Sequence, residues 1–194
     1  TKFAPWFPVD FDPAPQKVVD AVSGAIYPMV FSQWGTDVLR KAGIDAHYVP
    51  CSADAEKFSP IDKKAARLAW QIPDSCEFLV SVVAANKDPD DRKGLFQALM
   101  GFSRFAATHD GARLYIHTNW QGPVNIGGLV ERLGLKEKVF QPDHYAIQMG
   151  LYHDNYLQMV YSASDVLLNC AQSEGFGLPI LEAQLCGCPV AATD

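Results

Sequence analysis

The sequence predicts an α/β fold, a Rossmann-like parallel sheet with helices on both faces, on three observations. From residue 78 onward, strand-length apolar runs alternate with helix-length segments, and strands separated by helices build a parallel sheet covered on both sides. Leu95, Leu99, Phe102 and Ala106 recur at helical spacing, giving the first of those helices one buried face. The last unit is punctuated as a helix between strands: Pro179 suits a first helical turn, Gly187 the left-handed position after the helix, and Pro189 stops it.

The elements follow in order. Pro5, Pro8, Pro13 and Pro15 make residues 1–15 extended chain and turns, not helix. A strand over 25–31, a helix over 33–42 ended by Gly43 and a strand over 46–49 form one β-α-β step. Residues 50–60 are polar and turn-rich, and a short helix over 63–70 closes before Pro73. The division predicted from this punctuation is 1–50 as the end of one domain, 51–75 as an interdomain linker, and 76–194 as a second domain. Within the second domain the expected strands are 78–84, 113–118, 139–141, 166–169 and one starting at 189. The expected helices are 94–108, 125–133, 154–162 and one opening at Pro179.

Composition narrows the function. Of the 194 residues, 48% are hydrophobic and 20% charged, the balance of a globular chain and not of a disordered one. A formal charge of −6 argues against general nucleic-acid binding, so an anionic ligand needs a local site. The longest apolar run, 78–85, is far short of the roughly 20 residues of a membrane helix, and no transmembrane segment is expected. Five cysteines, an odd number without a CxxC pair or metal-ligand spacing, do not form a disulfide framework and point to a reducing cytoplasm.

In an open parallel sheet, ligands lie at the carboxyl ends of the strands. The loops after residues 84, 118, 141 and 169 therefore share one rim. After the fourth strand the chain reads Ser173-Glu174-Gly175-Phe176-Gly177-Leu178-Pro179 and runs into a helix. Glycines let a backbone approach a ligand closely, and the free amides at a helix start attract phosphate. Glu174 and Glu182 stand on this loop and helix with seven residues between them. Carboxylates suit vicinal sugar hydroxyls, and the amides between them suit a diphosphate. The plain alternative is that Glu182 complements the helix dipole and Glu174 is a loop charge.

Glu174-Gly-Phe-Gly-Leu-Pro-Ile-Leu-Glu182-Ala, followed by Gly187-Cys-Pro-Val190, resembles the E-x7-E signature of retaining GT-B glycosyltransferases. The similarity is to the family of sucrose synthases and bacterial α-mannosyl- and α-glucosyltransferases. It implies that Glu174 and the adjacent amides of Gly175, Phe176, Gly177 and Leu178 contact the transferred sugar, and that Glu182 contacts the nucleotide ribose. A second stretch, Asn86-Lys-Asp-Pro-Asp-Asp-Arg92-Lys93-Gly94, is similar to the family's basic loop and Lys-Gly helix start. By that resemblance Lys93 pairs with the donor diphosphate. The family's arginine just after the strand is missing near Asn86, and Arg92 is the candidate replacement; a solvated basic pair is the alternative for Arg92 and Lys93.

Asp88-Pro-Asp90-Asp91 superficially resembles a metal-binding DxD, but the adjacent basic pair competes for the carboxylates; solvated turn residues are the better reading, and no metal or other cofactor is expected. His117, Asn119 and Trp120, with Asp143, His144 and Tyr145, lie on the rim as base-pocket candidates or as ordinary loop residues. Cys186 and Cys188 read as small packing residues. The resemblance thus implies a GT-B C-terminal domain, incomplete at its end, that binds a nucleotide-diphosphate sugar such as a UDP or GDP sugar. The implied reaction is hexose transfer with retention to an unknown sugar, lipid-linked sugar or polysaccharide acceptor. The fragment alone is expected to be inactive. A GT-B sugar-nucleotide epimerase and a non-catalytic nucleotide-sugar-binding or scaffold module are the rival readings.

Overall fold

A computed structural model describes residues 2–153 and 155–193, so Thr1, Asp154 and Asp194 lie outside the described residues. The chain divides into two compact units. One runs to Ser52 and takes in Ser173–Leu178, and the other holds Ala53–Gln172 and the chain from Pro179 onward.

The first unit contains β1 (Trp6–Phe7), α1 (Gln16–Val22), β2 (Met29–Val30), α2 (Gln33–Lys41) and β3 (His47–Tyr48). The three short strands pair in parallel in the order β1-β2-β3. Val9, Val30, Val38, Leu39 and Ala46 form its core. Ser32 caps α2 by accepting from the Gly35 amide at 3.0 Å, satisfying a donor that the first turn cannot pair internally. The strand expected over 25–31 shrinks to two residues. Pro28 has no N–H to give a ladder, and Ile26 and Tyr27 stay exposed, so no burial rewards pairing there. α1 and β1 were not expected. Pro15 stands just ahead of α1 as its N-cap, so the prolines bound that helix without entering it.

The second unit contains α3 (Lys63–Ala69), β4 (Phe78–Val83), α4 (Leu95–Ala106), β5 (Ala112–His117), α5 (Ile126–Arg132), β6 (Val139–Phe140), α6 (His144–Met149), α7 (Tyr156–Ala163), β7 (Val166–Asn169), α8 (Leu178–Leu185) and β8 (Val190–Ala192). All five strands are parallel, in the order β6-β5-β4-β7-β8. Alternate strand residues face opposite layers, as the pleat requires. Val80, Val82, Leu114 and Ile116 pack with Leu95, Leu99 and Phe102 of α4 and with Leu129 and Val130 of α5. Leu79 and Tyr115 pack instead with Ala66 of α3 and with Val160 and Ala163 of α7. Each fully buried large apolar side chain contributes about 1.5–3 kcal/mol. Helices therefore cover both faces, and the sheet is the Rossmann-like one the alternation predicts.

Residues 53–75, expected as part of a linker, are packed into this unit. Phe58 and Ala66 are buried in its clusters. Arg67 of α3 donates from Nε to the Ala163 carbonyl at 3.0 Å and from Nη1 to the Cys76 carbonyl at 3.1 Å, and pairs through Nη2 with the Asp165 carboxylate. The guanidinium fork thus ties α3 to the end of α7 and to the chain entering β4.

Candidate functional site

The sheet order places β4 between β5 and β7, with connections leaving toward opposite edges. This is the topological switch point, where an open α/β sheet leaves a crevice beyond its strand ends. The loops after β4, β5 and β7 surround it.

The loop after β4 carries Arg92, Lys93 and Gly94, and the second unit fastens it to the loop after β7. The Gln172 amide donates to the Arg92 carbonyl at 2.8 Å. Gly94 is left-handed at φ +64°, and a Cβ there would stand 2.1 Å from the Cys170 carbonyl oxygen, so only glycine fits. The same loop is braced from within. Asp91, itself at φ +50°, accepts from the Leu95 amide through Oδ1 at 2.9 Å and from the Phe96 amide through Oδ2 at 2.8 Å. Its carboxylate is therefore the anion at the start of α4. Asp88 accepts from the Asp90 amide at 3.1 Å and lies 3.4 Å from Arg92 Nε. The acidic stretch with a superficial DxD pattern is thus engaged in shaping this loop, and among the described residues no group of three or more His, Cys, Asp or Glu is arranged to hold a metal ion.

Asn86, where the resemblance lacks an arginine, has a structural task. It is 5% exposed, and its side-chain amide donates to the carbonyls of Asn119 and Val124 at 3.0 and 2.8 Å while Oδ1 accepts from the Val124 amide at 3.0 Å. It pins the loop after β5 to the loop after β4. Between these loops lies a cavity of about 340 Å³ lined by Ala84, Asn86, Lys87, His117, Thr118, Asn119, Ile147 and Pro179. His117 Nδ1 is 2.8 Å from the Tyr115 hydroxyl, which also meets the Tyr156 hydroxyl at 3.0 Å. Burial lowers the His117 pKa to about 4, so the ring is neutral near pH 7.

The other rim candidates divide. Asn119 joins His117 at the cavity, whereas Trp120 packs against the core beside α4 and α5 and donates from Nε1 to the Ile116 carbonyl at 3.3 Å. Asp143 caps α6 by accepting from the Ala146 amide at 2.7 Å, so His144 and Tyr145 open a helix and are not loop residues.

Glu182 lies in the second turn of α8. Its Oε2 accepts from the Tyr161 hydroxyl at 2.8 Å. Burial raises the Glu182 pKa, while the Tyr161 hydrogen bond and the Lys57 charge act the other way. Cys186 and Cys188 are buried beside Tyr161 and Ala183, and all five cysteines are free thiols. Gly187 is left-handed at φ +75° after the helix, and the Cys188 amide returns to the Ala183 carbonyl at 2.9 Å. Glu174, Gly175, Phe176, Gly177 and Leu178 fall in the first compact unit, unlike Arg92, Lys93 and Glu182. There a Cβ on Gly175 would come within 2.5 Å of Pro8 Cβ, and Gly177 is left-handed at φ +82°. Both glycines have steric or conformational grounds in the structure.

Sequence reasoning did not single out Asp91 as the acceptor for the Leu95 and Phe96 amides or Tyr161 as the partner of Glu182. Asp91 stands three residues ahead of Gly94, the N-cap of α4, outside the position at which a capping signal is read. Tyr161 carried no signal, because its partner is 21 residues away on another helix.

Comparison with known proteins supplies the remaining observations. Residues 79–194 match the family model of glycosyl transferases group 1. Among curated relatives, D-inositol 3-phosphate glycosyltransferase of Segniliparus rotundus is 32% identical over 149 residues, 74% of this chain and 30% of the relative. The enzyme of the same name from Geodermatophilus obscurus is 30% identical over 156 residues, 74% of this chain and 32% of the relative. The chain therefore spans about a third of the length of these relatives. Among solved structures, sucrose-phosphate synthase from Thermosynechococcus elongatus superposes with a TM-score of 0.73 at 20% identity, covering 93% of this chain and 45% of that one. Anabaena HepE in complex with UDP-glucose superposes with a TM-score of 0.72 at 17% identity, covering 98% and 53%. These structures share the fold. With the family model matching well over half of its residues, the chain belongs to the glycosyl transferases group 1 family.

Proposed function

We propose that this chain supplies the donor site of a retaining hexosyltransferase of the E-x7-E type, binding a nucleotide-diphosphate sugar without a metal ion. The observation that carries the reading is the Arg92-Lys93-Gly94 loop at the switch point, held against the loop after β7 within a region that matches a glycosyltransferase family. A basic loop fixed at a strand-end crevice suits a diphosphate.

In this proposal Lys93 neutralises the diphosphate, with Arg92 in place of the arginine absent at Asn86. Glu182 accepts from the ribose hydroxyls. Glu174 and the backbone of Gly175, Phe176, Gly177 and Leu178 hold the sugar, and the amides at the start of α8 add partial positive charge. The acceptor oxygen bonds to the anomeric carbon as the bond to the leaving diphosphate breaks on the same face, and the acceptor proton passes to a diphosphate oxygen. The protein contributes positioning and stabilises the leaving charge.

The acceptor class is a sugar, lipid-linked sugar or polysaccharide; because the chain spans about a third of the length of its curated relatives, transfer is not expected from the chain alone. Five free thiols favour a reducing cytoplasm as its setting. Among the described residues no helix is long and apolar enough to cross a membrane.

UDP and UDP-glucose are the first probes, since HepE is complexed with UDP-glucose, and the GDP counterparts are the second. Thermal unfolding with each ligand in excess chelator tests the reading. A ligand at a hundredfold excess over its dissociation constant stabilises the folded state by about 2.7 kcal/mol, and a raised Tm is expected with chelator present. Stabilisation that requires a divalent ion contradicts the metal-free site, and none with either nucleotide contradicts the donor site.

A further inference from the structure

Tyr161 is completely buried on α7, in a cluster with Phe58, Leu167, Ala183 and Cys186. A phenol in such surroundings needs an acceptor for its hydroxyl. Its acceptor is a carboxylate on a different helix: Tyr161 Oη donates to Glu182 Oε2 at 2.8 Å. The Tyr161 ring is held in turn by its apolar neighbours, with the Phe58 ring centroid 6.2 Å away. A rigid donor thus fixes one oxygen of a side chain that otherwise rotates about three bonds. The Glu182 side chain makes no other hydrogen bond among the described residues, which leaves Oε1 as its second acceptor.

We propose that Tyr161 is a positioning residue: it locks the Glu182 carboxylate so that the remaining oxygen meets the vicinal hydroxyls of a ribose. The proposal rests on the donor-site reading, in which Glu182 faces the nucleotide ribose. Chemically, a carboxylate with one oxygen tied down presents the other in a single direction, and a diol loses less affinity to ordering its partner. The hydroxyl also supports the charged form of Glu182 against the cost of burial.

The test compares UDP with 2′,3′-dideoxy-UDP by titration calorimetry on the whole chain, using wild type, Tyr161→Phe and Glu182→Gln. Tyr161→Phe keeps the ring and its packing, and its Tm is recorded in parallel. If UDP does not bind the wild type, GDP and its dideoxy analogue replace the pair. The proposal expects Tyr161→Phe to weaken the ribonucleotide about five- to tenfold, the cost of ordering one freed side chain on binding, and to leave the dideoxy ligand within about twofold. Glu182→Gln is expected to show the same selectivity. If Glu182→Gln discriminates between the two ligands and Tyr161→Phe does not, Tyr161 merely satisfies its own hydroxyl and the proposal is overturned while the donor-site reading stands. If Glu182→Gln also fails to discriminate, or neither nucleotide binds, the ribose role of Glu182 falls and the proposal with it.

Discussion

Gly94 approaches Cys170 so closely that a single added carbon would stand 2.1 Å from the Cys170 carbonyl oxygen. This contact locks the basic loop after β4 to the loop after β7, and backbone rather than a flexible side chain stands in the way. Gly94→Ala must shift one loop or the other and also hold alanine at φ +64°. Its expected cost is on the order of 3–5 kcal/mol, the range reached by backbone strain joined to overpacking. Gly134→Ala is the control, because Gly134 is also left-handed, at φ +67°, but nothing lies within 4 Å of its Cβ position. That change should cost about 1–2 kcal/mol from conformation alone. Urea unfolding of both variants checks the difference, and equal losses would remove the contact's role.

His117 makes the stability of the second unit depend on acidity. Its folded pKa, lowered by burial to about 4, lies below the ordinary value of 6.5. The unfolded chain therefore takes up this proton first as pH falls. The stabilisation is complete above about pH 6.5 and is lost as pH falls through 4. At about 1.4 kcal/mol for each unit of difference the loss reaches roughly 3 kcal/mol. Glu182, with its pKa raised mainly by burial, acts with the opposite sign. Comparing His117→Gln with wild type isolates the histidine. The slope of unfolding free energy against pH between 4 and 6.5 should be shallower in the variant. Superimposable slopes would show that His117 protonates equally in both states.

Lys93→Ala separates phosphate recognition from base and ribose recognition. If Lys93 meets the diphosphate, its loss should weaken UDP or GDP about ten- to hundredfold, as expected for one charged hydrogen bond of roughly 1.5–3 kcal/mol. The corresponding nucleoside should bind as before. Calorimetric titration with both ligands checks this, and an unchanged diphosphate affinity would remove Lys93 from the site.

The parts legible in the sequence were those in which local pattern and tertiary burial agree. The face Leu95, Leu99, Phe102 and Ala106 is buried as its spacing requires, and the strand read over 166–169 is β7. The Gly187 stop was legible because a left-handed residue after a helix is written into the residue type. The expected helix 154–162 begins at Asp154, outside the described residues, and is observed as α7 from Tyr156. α6 was missed even though Asp143 and Gly150 mark its two ends, because six residues with little apolar periodicity read as loop. The extent of the first strand was misjudged because β propensity at Ile26 and Tyr27 is realised only where those side chains are buried. Around the site, Glu174 and Glu182 stood out through one long motif and Lys93 through a second stretch. The bonds that shape their surroundings, Asn86 to the loop after β5 and Tyr161 to Glu182, join residues 38 and 21 positions apart and leave no local trace.

The division of labour between the two glutamates is the central claim, and calorimetric titration of wild type, Glu174→Ala and Glu182→Ala with both the free nucleoside diphosphate and its sugar conjugate tests it most directly. Glu182→Ala should weaken both ligands by similar factors, because both carry the ribose. Glu174→Ala should weaken only the sugar conjugate and leave the free diphosphate nearly unchanged. Each loss should be on the order of 1–3 kcal/mol, with folding of each variant checked by its Tm. If Glu174→Ala weakens the bare diphosphate as much as the conjugate, or if neither variant alters either affinity, the assignment of Glu174 to the sugar and Glu182 to the ribose is contradicted.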